Sequence, residues 1–146
     1  MRFSTRTRYG LRFLLRLAAH PVGEFLRLPQ VAQAENISHG YLEQIARMLR
    51  PAGILRTARG SGGGYALARS PAEISVKEIF QHLEGEITPV TCLTKDFHCS
   101  RENVCPARNF WNALDENIHT FLQRYTLQDI IDMKNHPSGG SHVELH

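Results

Sequence analysis

"SHGYLEQIARMLRPAGILRTARGSGGGYALAR", residues 38–69, carries two periodicities in succession, and the change from one to the other decides the fold. Leu42, Ile45, Ala46 and Leu49 stand at i, i+3, i+4 and i+7, the spacing of a single buried stripe on a helix. Ser38 precedes that helix and can cap it by accepting a hydrogen bond from a free backbone amide. Gly53 ends it. A short aliphatic run follows, then four glycines in the five positions 60–64, then an alternating run in which Tyr65 and Leu67 point the same way. This predicts a two-stranded hairpin with "RGSGGG" at its tip. His39, Gly40, Glu43, Gln44, Arg47 and Arg50 lie off the apolar stripe of the helix. Carboxylate, amide and guanidinium groups on one outer face are the donors and acceptors that read base edges in a major groove.

Upstream, Phe3, Gly10, Leu11, Leu14, Leu17 and Ala18 recur at helical spacing, which predicts a first helix ending before His20-Pro21. "LPQVAQAE", residues 28–35, reads as a short second helix opened by Pro29 and broken by Asn36. Helix, helix, outward-polar helix and basic hairpin is the order of a winged helix-turn-helix. The glycine-rich tip is no phosphate loop, because no Gly-Lys-Ser/Thr follows it and Tyr65 stands where a dinucleotide fingerprint needs glycine. It suits a wing whose backbone approaches DNA, with Arg59 at its base reaching a minor groove.

Charge supports the same reading. Residues 1–69 hold eleven arginines against Glu24, Glu35 and Glu43, a net of +8, so the remainder of the +3 chain carries −5. A basic half joined to an acidic half reads as a polyanion-binding module with a second module attached. At 146 residues and 42% hydrophobic content the chain can bury a real core. No charged-then-apolar leader and no run of eighteen apolar residues is present. The expected compartment is the cytoplasm, where clustered thiols stay reduced.

Downstream, "SPAEISVKEIFQHLEGE" predicts a fourth helix with Ile74, Ile79, Phe80 and Leu83 inward. "TCLTKDFHCSRENVCP", residues 91–106, then holds every cysteine of the chain: Cys92, Cys99 and Cys105. Three thiols in one polar stretch make a poor disulfide framework and a plausible metal cradle. Thiolates favour an iron–sulfur cluster; zinc would accept the same ligands, but the two-residue gaps of zinc knuckles are absent. Pro106 is placed to start a long helix on which Phe110, Trp111, Leu114, Ile118, Phe121, Leu122 and Tyr125 repeat every three or four residues. That stripe is expected to pair with the same helix of a second subunit; the other reading is an intrachain cap. "TLQDIIDM" reads as a closing helical turn and "KNHPSGGSHVELH" as a loose tail. The expected division is therefore 1–84 for the winged domain, 85–105 for the cysteine loop, 106–133 for dimerisation and closing helices, and 134–146 for the tail. The expected architecture is mainly α with a small β-hairpin wing.

"RYGLRFLLRLA", the quoted 38–69 stretch and three cysteines before a long helix closely resemble the bacterial winged-helix iron–sulfur regulators of the IscR, NsrR and RirA type. The resemblance spans roughly residues 1–133. It implies a dimeric transcription factor, a repressor on double-stranded DNA, sensing iron, cluster supply, nitric oxide or redox state. It also implies that Cys92, Cys99 and Cys105 ligate a 2Fe-2S or 4Fe-4S cluster. Tyr41, Leu42, Glu43 and Gln44 match recognition-helix positions; Arg59, Gly60, Ser61 and Gly62 match the wing. The DNA-binding set is completed by His39, Arg47 and Arg50. The chain departs from the family pattern at the fourth ligand. Arg108 stands where IscR-like proteins place a histidine, and Arg8 where NsrR-like proteins place an aspartate. A guanidinium stays protonated and cannot ligate iron. His98, Asp96, Glu102 or an exogenous group remain open. A zinc-bound or thiol-based winged regulator is one alternative, and an electron-transfer or thiol enzyme another, although Cys-x-x-Cys is absent. No catalytic residue is expected.

Overall fold

The computed structural model describes residues 1–135, so the expected tail lies outside the described residues apart from Lys134 and Asn135. Six helices and one hairpin follow in order: α1 (Thr5–Ala18), α2 (Leu28–Glu35), α3 (His39–Leu49), β1 (Leu55–Ala58), β2 (Gly64–Leu67), α4 (Val76–Glu84), α5 (Arg108–Arg124) and α6 (Leu127–Asn135). Single 3-10 turns at Arg50–Ala52, Pro71–Glu73 and Thr91–Leu93 join them.

The starts of these helices follow from their caps. Ser38 Oγ accepts from Tyr41 N at 3.2 Å and fixes the first turn of α3. Asn36, at φ 53°, turns the chain out of α2 in the left-handed conformation that asparagine tolerates. Three starts differ from the sequence expectation. α1 opens at Thr5 because Ser4 Oγ takes the Thr7 amide at 3.3 Å, and Phe3, left outside, packs edge-on against Phe80 at 4.9 Å. α4 begins at Val76, where Ser75 Oγ accepts from Glu78 N at 3.2 Å; the preceding Pro71–Glu73 turn is separate, and Ile74 is buried in extended backbone. α5 begins at Arg108, with Pro106 and Ala107 in a turn ahead of it.

Phe13, Leu14, Val31, Leu42, Ile45, Ala46, Leu49, Ile54, Ile79 and Leu83, all fully buried, form the main core. The stripe read on α3 is thus entirely interior. α1 and α4 approach closely at Gly10, where any Cβ would run into Leu83. β1 and β2 pair antiparallel in the register Leu55↔Leu67 to Ala58↔Gly64. The hairpin gains a third partner, because Leu26 and Tyr65 exchange both backbone hydrogen bonds at 2.8 Å. That approach requires glycine at 64: its φ is 142°, and a Cβ there would overlap the Leu26 carbonyl.

A smaller core of Val76, Ile87 and Leu122, with Phe80, Ile118, Tyr125 and Ile130 against it, seats α5 on α4. Val76 N donates to Tyr125 O and Leu127 N to Ile74 O, both at 2.9 Å, so the chain turns back and plants Leu127 in the main core. Leu122, grouped by its periodicity with partner-facing residues, is therefore buried within its own chain, and Ile118 is half-buried beside it. Phe110 and Phe121 remain 62% and 58% exposed. Beside Phe121, residues of the N-terminus, α4, α5 and α6, among them Phe3, Phe80, Ile118, Tyr125 and Met133, line an apolar groove of about 600 Å³.

Candidate nucleic-acid interface and cysteine loop

On α3, His39, Glu43, Gln44 and Arg47 are exposed, as is Arg50 just past its end. Burial of the opposite stripe leaves them no other direction. His39 Nδ1 and Glu43 Oε1 lie 3.8 Å apart across one turn. Tyr41 differs from its neighbours: it is half-buried and meets Tyr9 of α1 edge-on at 5.9 Å, so much of its surface is spent on packing. At the wing, Arg59, Gly60, Ser61 and Gly62 are exposed around the turn.

Wing and recognition helix face one another across a cleft of about 340 Å³, lined by Arg27, Pro29, His39, Glu43, Gly60 and Tyr65. Arg27 was missed as a site residue because its sequence position, just before a short helix, does not show that the fold carries it to the wing. The signal available was its place in the arginine count.

The arginines divide by what they touch. Arg12 and Arg16 bind the Glu35 carboxylate at 2.9 and 2.6 Å. Burial opposes ionisation of Glu35, but hydrogen bonds from Arg16 and Arg12 and their charges outweigh it and hold the carboxyl below its ordinary range. Arg69 pairs with Glu78 and also donates to the carbonyls of Ala52, Gly53 and Glu73. These three are structural. Among the described residues no carboxylate pairs with Arg27, Arg47 or Arg59, so their charge is available to a polyanion.

The loop between α4 and α5 carries Cys92, Cys99 and Cys105 as free, half-buried thiols. Its root is anchored at both ends. Ile87 O accepts from His119 Nε2 of α5 at 2.9 Å, and Glu86 Oε1 accepts from Lys95 N at 3.0 Å. At the far end Arg108 Nη2 meets Glu102 Oε1 at 2.7 Å. Glu102, one of the open candidates for a fourth ligand, is therefore engaged by the arginine that replaces the family histidine. His98 and Asp96 are exposed. Among the described residues no three His, Cys, Asp or Glu side chains gather into a group that could hold a metal ion. The donor types match the sequence reading, while the loop as folded does not bring the three thiols together. Also among the described residues, no helix is long and apolar enough to cross a membrane.

Known proteins share this arrangement. Protein rrf2 of Nitratidesulfovibrio vulgaris is 33% identical, the match covering all of this chain and 98% of that protein. The solved structure of CymR (YrzC), the global cysteine regulator of B. subtilis, superposes with a TM-score of 0.73 at 33% identity, over 89% of this chain and 95% of that one. T. potens IscR superposes with a TM-score of 0.74 at 30% identity, over 97% of this chain and 94% of that one. The family model for Rrf2, described as an iron-dependent transcriptional regulator, matches residues 3–133. With a winged helix-turn-helix built from the predicted elements and a polar recognition helix beside a basic wing, the chain belongs to the Rrf2 family of transcriptional regulators and is not an enzyme.

Proposed function

We propose that this regulator acts as a cytoplasmic homodimeric repressor on duplex DNA, and that its affinity is set by an iron–sulfur cluster on the cysteine loop. α3 and the wing would make the DNA contacts; Cys92, Cys99 and Cys105 would hold the cluster. The observation that carries the reading is that every thiol of the chain sits on one reduced, half-exposed loop between the winged half and α5. Three soft thiolates suit iron–sulfur chemistry, and a cluster would supply a centre that reacts with oxygen or nitric oxide. Among the described residues the three thiols do not form one gathered group, so loading would have to bring them together within the 85–105 loop. The pairs Glu102–Arg108 and Ile87–His119 join that segment to α5, so a change in the loop reaches the helix that presents Phe110 and Phe121. With Glu102 engaged by Arg108, His98 and Asp96 are the loop donors left for a fourth position.

A second reading has its own support. The ungathered thiols favour a sensor that uses free thiols and no metal, and the chain is as similar to CymR, the global cysteine regulator of B. subtilis, as to an IscR. The absorption spectrum and the iron and sulfide content of anaerobically purified protein separate the two. Visible bands that disappear in each single Cys→Ala variant support the cluster. A colourless, iron-free protein that still binds DNA supports the thiol reading.

A further inference from the structure

Arg50, counted with the polyanion-binding side chains by its sequence position, is built into the wing. It follows the last residue of α3, and its Nη2 donates to Tyr65 Oη at 3.2 Å, with the guanidinium 6.0 Å from the centre of the Tyr65 ring. Tyr65 is where the wing is attached to the rest of the molecule. Its backbone exchanges two 2.8 Å hydrogen bonds with Leu26, and its ring meets the fully buried Phe13 edge-on at 6.0 Å. A second arginine–aromatic contact, Arg56 over Phe25 at 5.3 Å, ties β1 to the same stretch of chain. The strands have four residues each and the tip is rich in glycine, so the contacts at the root carry most of the hairpin's orientation. A rigid, planar guanidinium held by a phenol is suited to fix that angle.

We propose that Arg50 is a positioning residue which, through the Tyr65 hydroxyl, sets the angle between recognition helix and wing and hence the distance between their contacts on DNA. This rests on α3 and the wing being the DNA-binding surface.

The probe is a duplex selected by the wild-type protein from a randomised pool. Tyr65→Phe removes one uncharged hydroxyl and keeps the ring on Phe13. The expected result is binding weakened about three- to tenfold, the span of one lost hydrogen bond, with the slope of log affinity against log salt unchanged. Arg50→Gln should lose a similar factor, and the double variant should bind no more weakly than Arg50→Gln alone. Arg59→Ala is the comparator, expected to lower the salt slope by about one unit. Wild-type affinity in Tyr65→Phe, additive losses in the double variant, or a full unit lost from the slope in Arg50→Gln would each overturn the proposal in favour of separate DNA contacts. Thermal melting shows whether either variant has lost its fold. If Tyr65→Phe melts early, Arg50→Gln at the exposed end of α3 decides by its salt slope. Failure of the wild-type chain to retain any duplex would remove the DNA-binding reading, and this proposal with it.

Discussion

Single residues in this chain matter through the space or the charge that their position leaves them. Gly64 is the sharpest steric case, since both its φ of 142° and the Leu26 carbonyl beside it exclude a side chain. Gly64→Ala is expected to destabilise the protein by roughly 1–3 kcal/mol, the scale of backbone strain at such a position, read as a lower urea midpoint. On the proposed DNA-binding face of α3, Gln44 and Arg47 are both exposed but differ in chemistry. Gln44→Ala should cost about 1–3 kcal/mol on the selected duplex and little on random DNA if its amide reads a base. Arg47→Ala should weaken both duplexes alike and flatten the salt dependence. Competition binding with selected and scrambled duplexes checks the pair; equal losses for Gln44→Ala on both would remove it from base readout. The identities of these residues were legible in the sequence, because the Leu42–Leu49 stripe forces them outward. The use of Arg50 was not, since Tyr65 lies fifteen residues away and only the hairpin brings its hydroxyl within reach.

At the scale of elements, α3 and α5 show how far periodicity carries. A helix with one apolar stripe has one answer to where it goes, and α3 buries the whole of its stripe. α5 is apolar over a wider arc. Leu122 and Ile118 take the side against α4, while Phe121 is left exposed at the lip of the apolar groove and Phe110 is left exposed near the start of the helix. Exposed aromatics next to such a groove favour burial against a second subunit. Phe121→Glu is therefore expected to yield monomers with weak operator binding while preserving the fold, because Phe121 is exposed within its own chain. Sedimentation and far-UV circular dichroism check it; an unchanged dimer would exclude this face. A charge at Ile118 would be a poorer test, since it would strike the small core as well.

The whole molecule is held together by contacts between segments far apart in sequence, and two of them titrate. Glu35 joins α2 to α1 through Arg12 and Arg16. Burial also opposes ionisation of Glu84, but donation from Ser4 and Thr7 and the charge of Arg6 lower its pKa nonetheless. Both carboxyls have folded values below the ordinary 4.5. Their contribution to stability is thus complete above about pH 4.5 and is lost as pH falls through the lower folded values. Stability should fall on acidification below that point, and Arg12→Gln combined with Arg16→Gln should make the fall shallower. Urea unfolding between pH 7 and 3 measures it; an acid limb of unchanged steepness would mean that Glu35 contributes little.

The sequence by itself determined the winged helix, the outward face of α3 and the segregation of all thiols to one loop. These rest on local rules: stripe spacing, cap residues, glycine at the hairpin turn and the chemistry of sulfur donors. Only the tertiary structure decided that Leu26 completes the sheet, that Arg12, Arg16 and Arg69 are spent on internal carboxylates and carbonyls, and that Leu122 is buried at home. It also decided that Arg108 grips Glu102 and that the three cysteines, close in sequence, do not gather in space. The physical reason is the same in each case. Periodicity and composition say which groups must be buried or charged, whereas the choice of partner depends on which distant segments the packed core brings within contact distance.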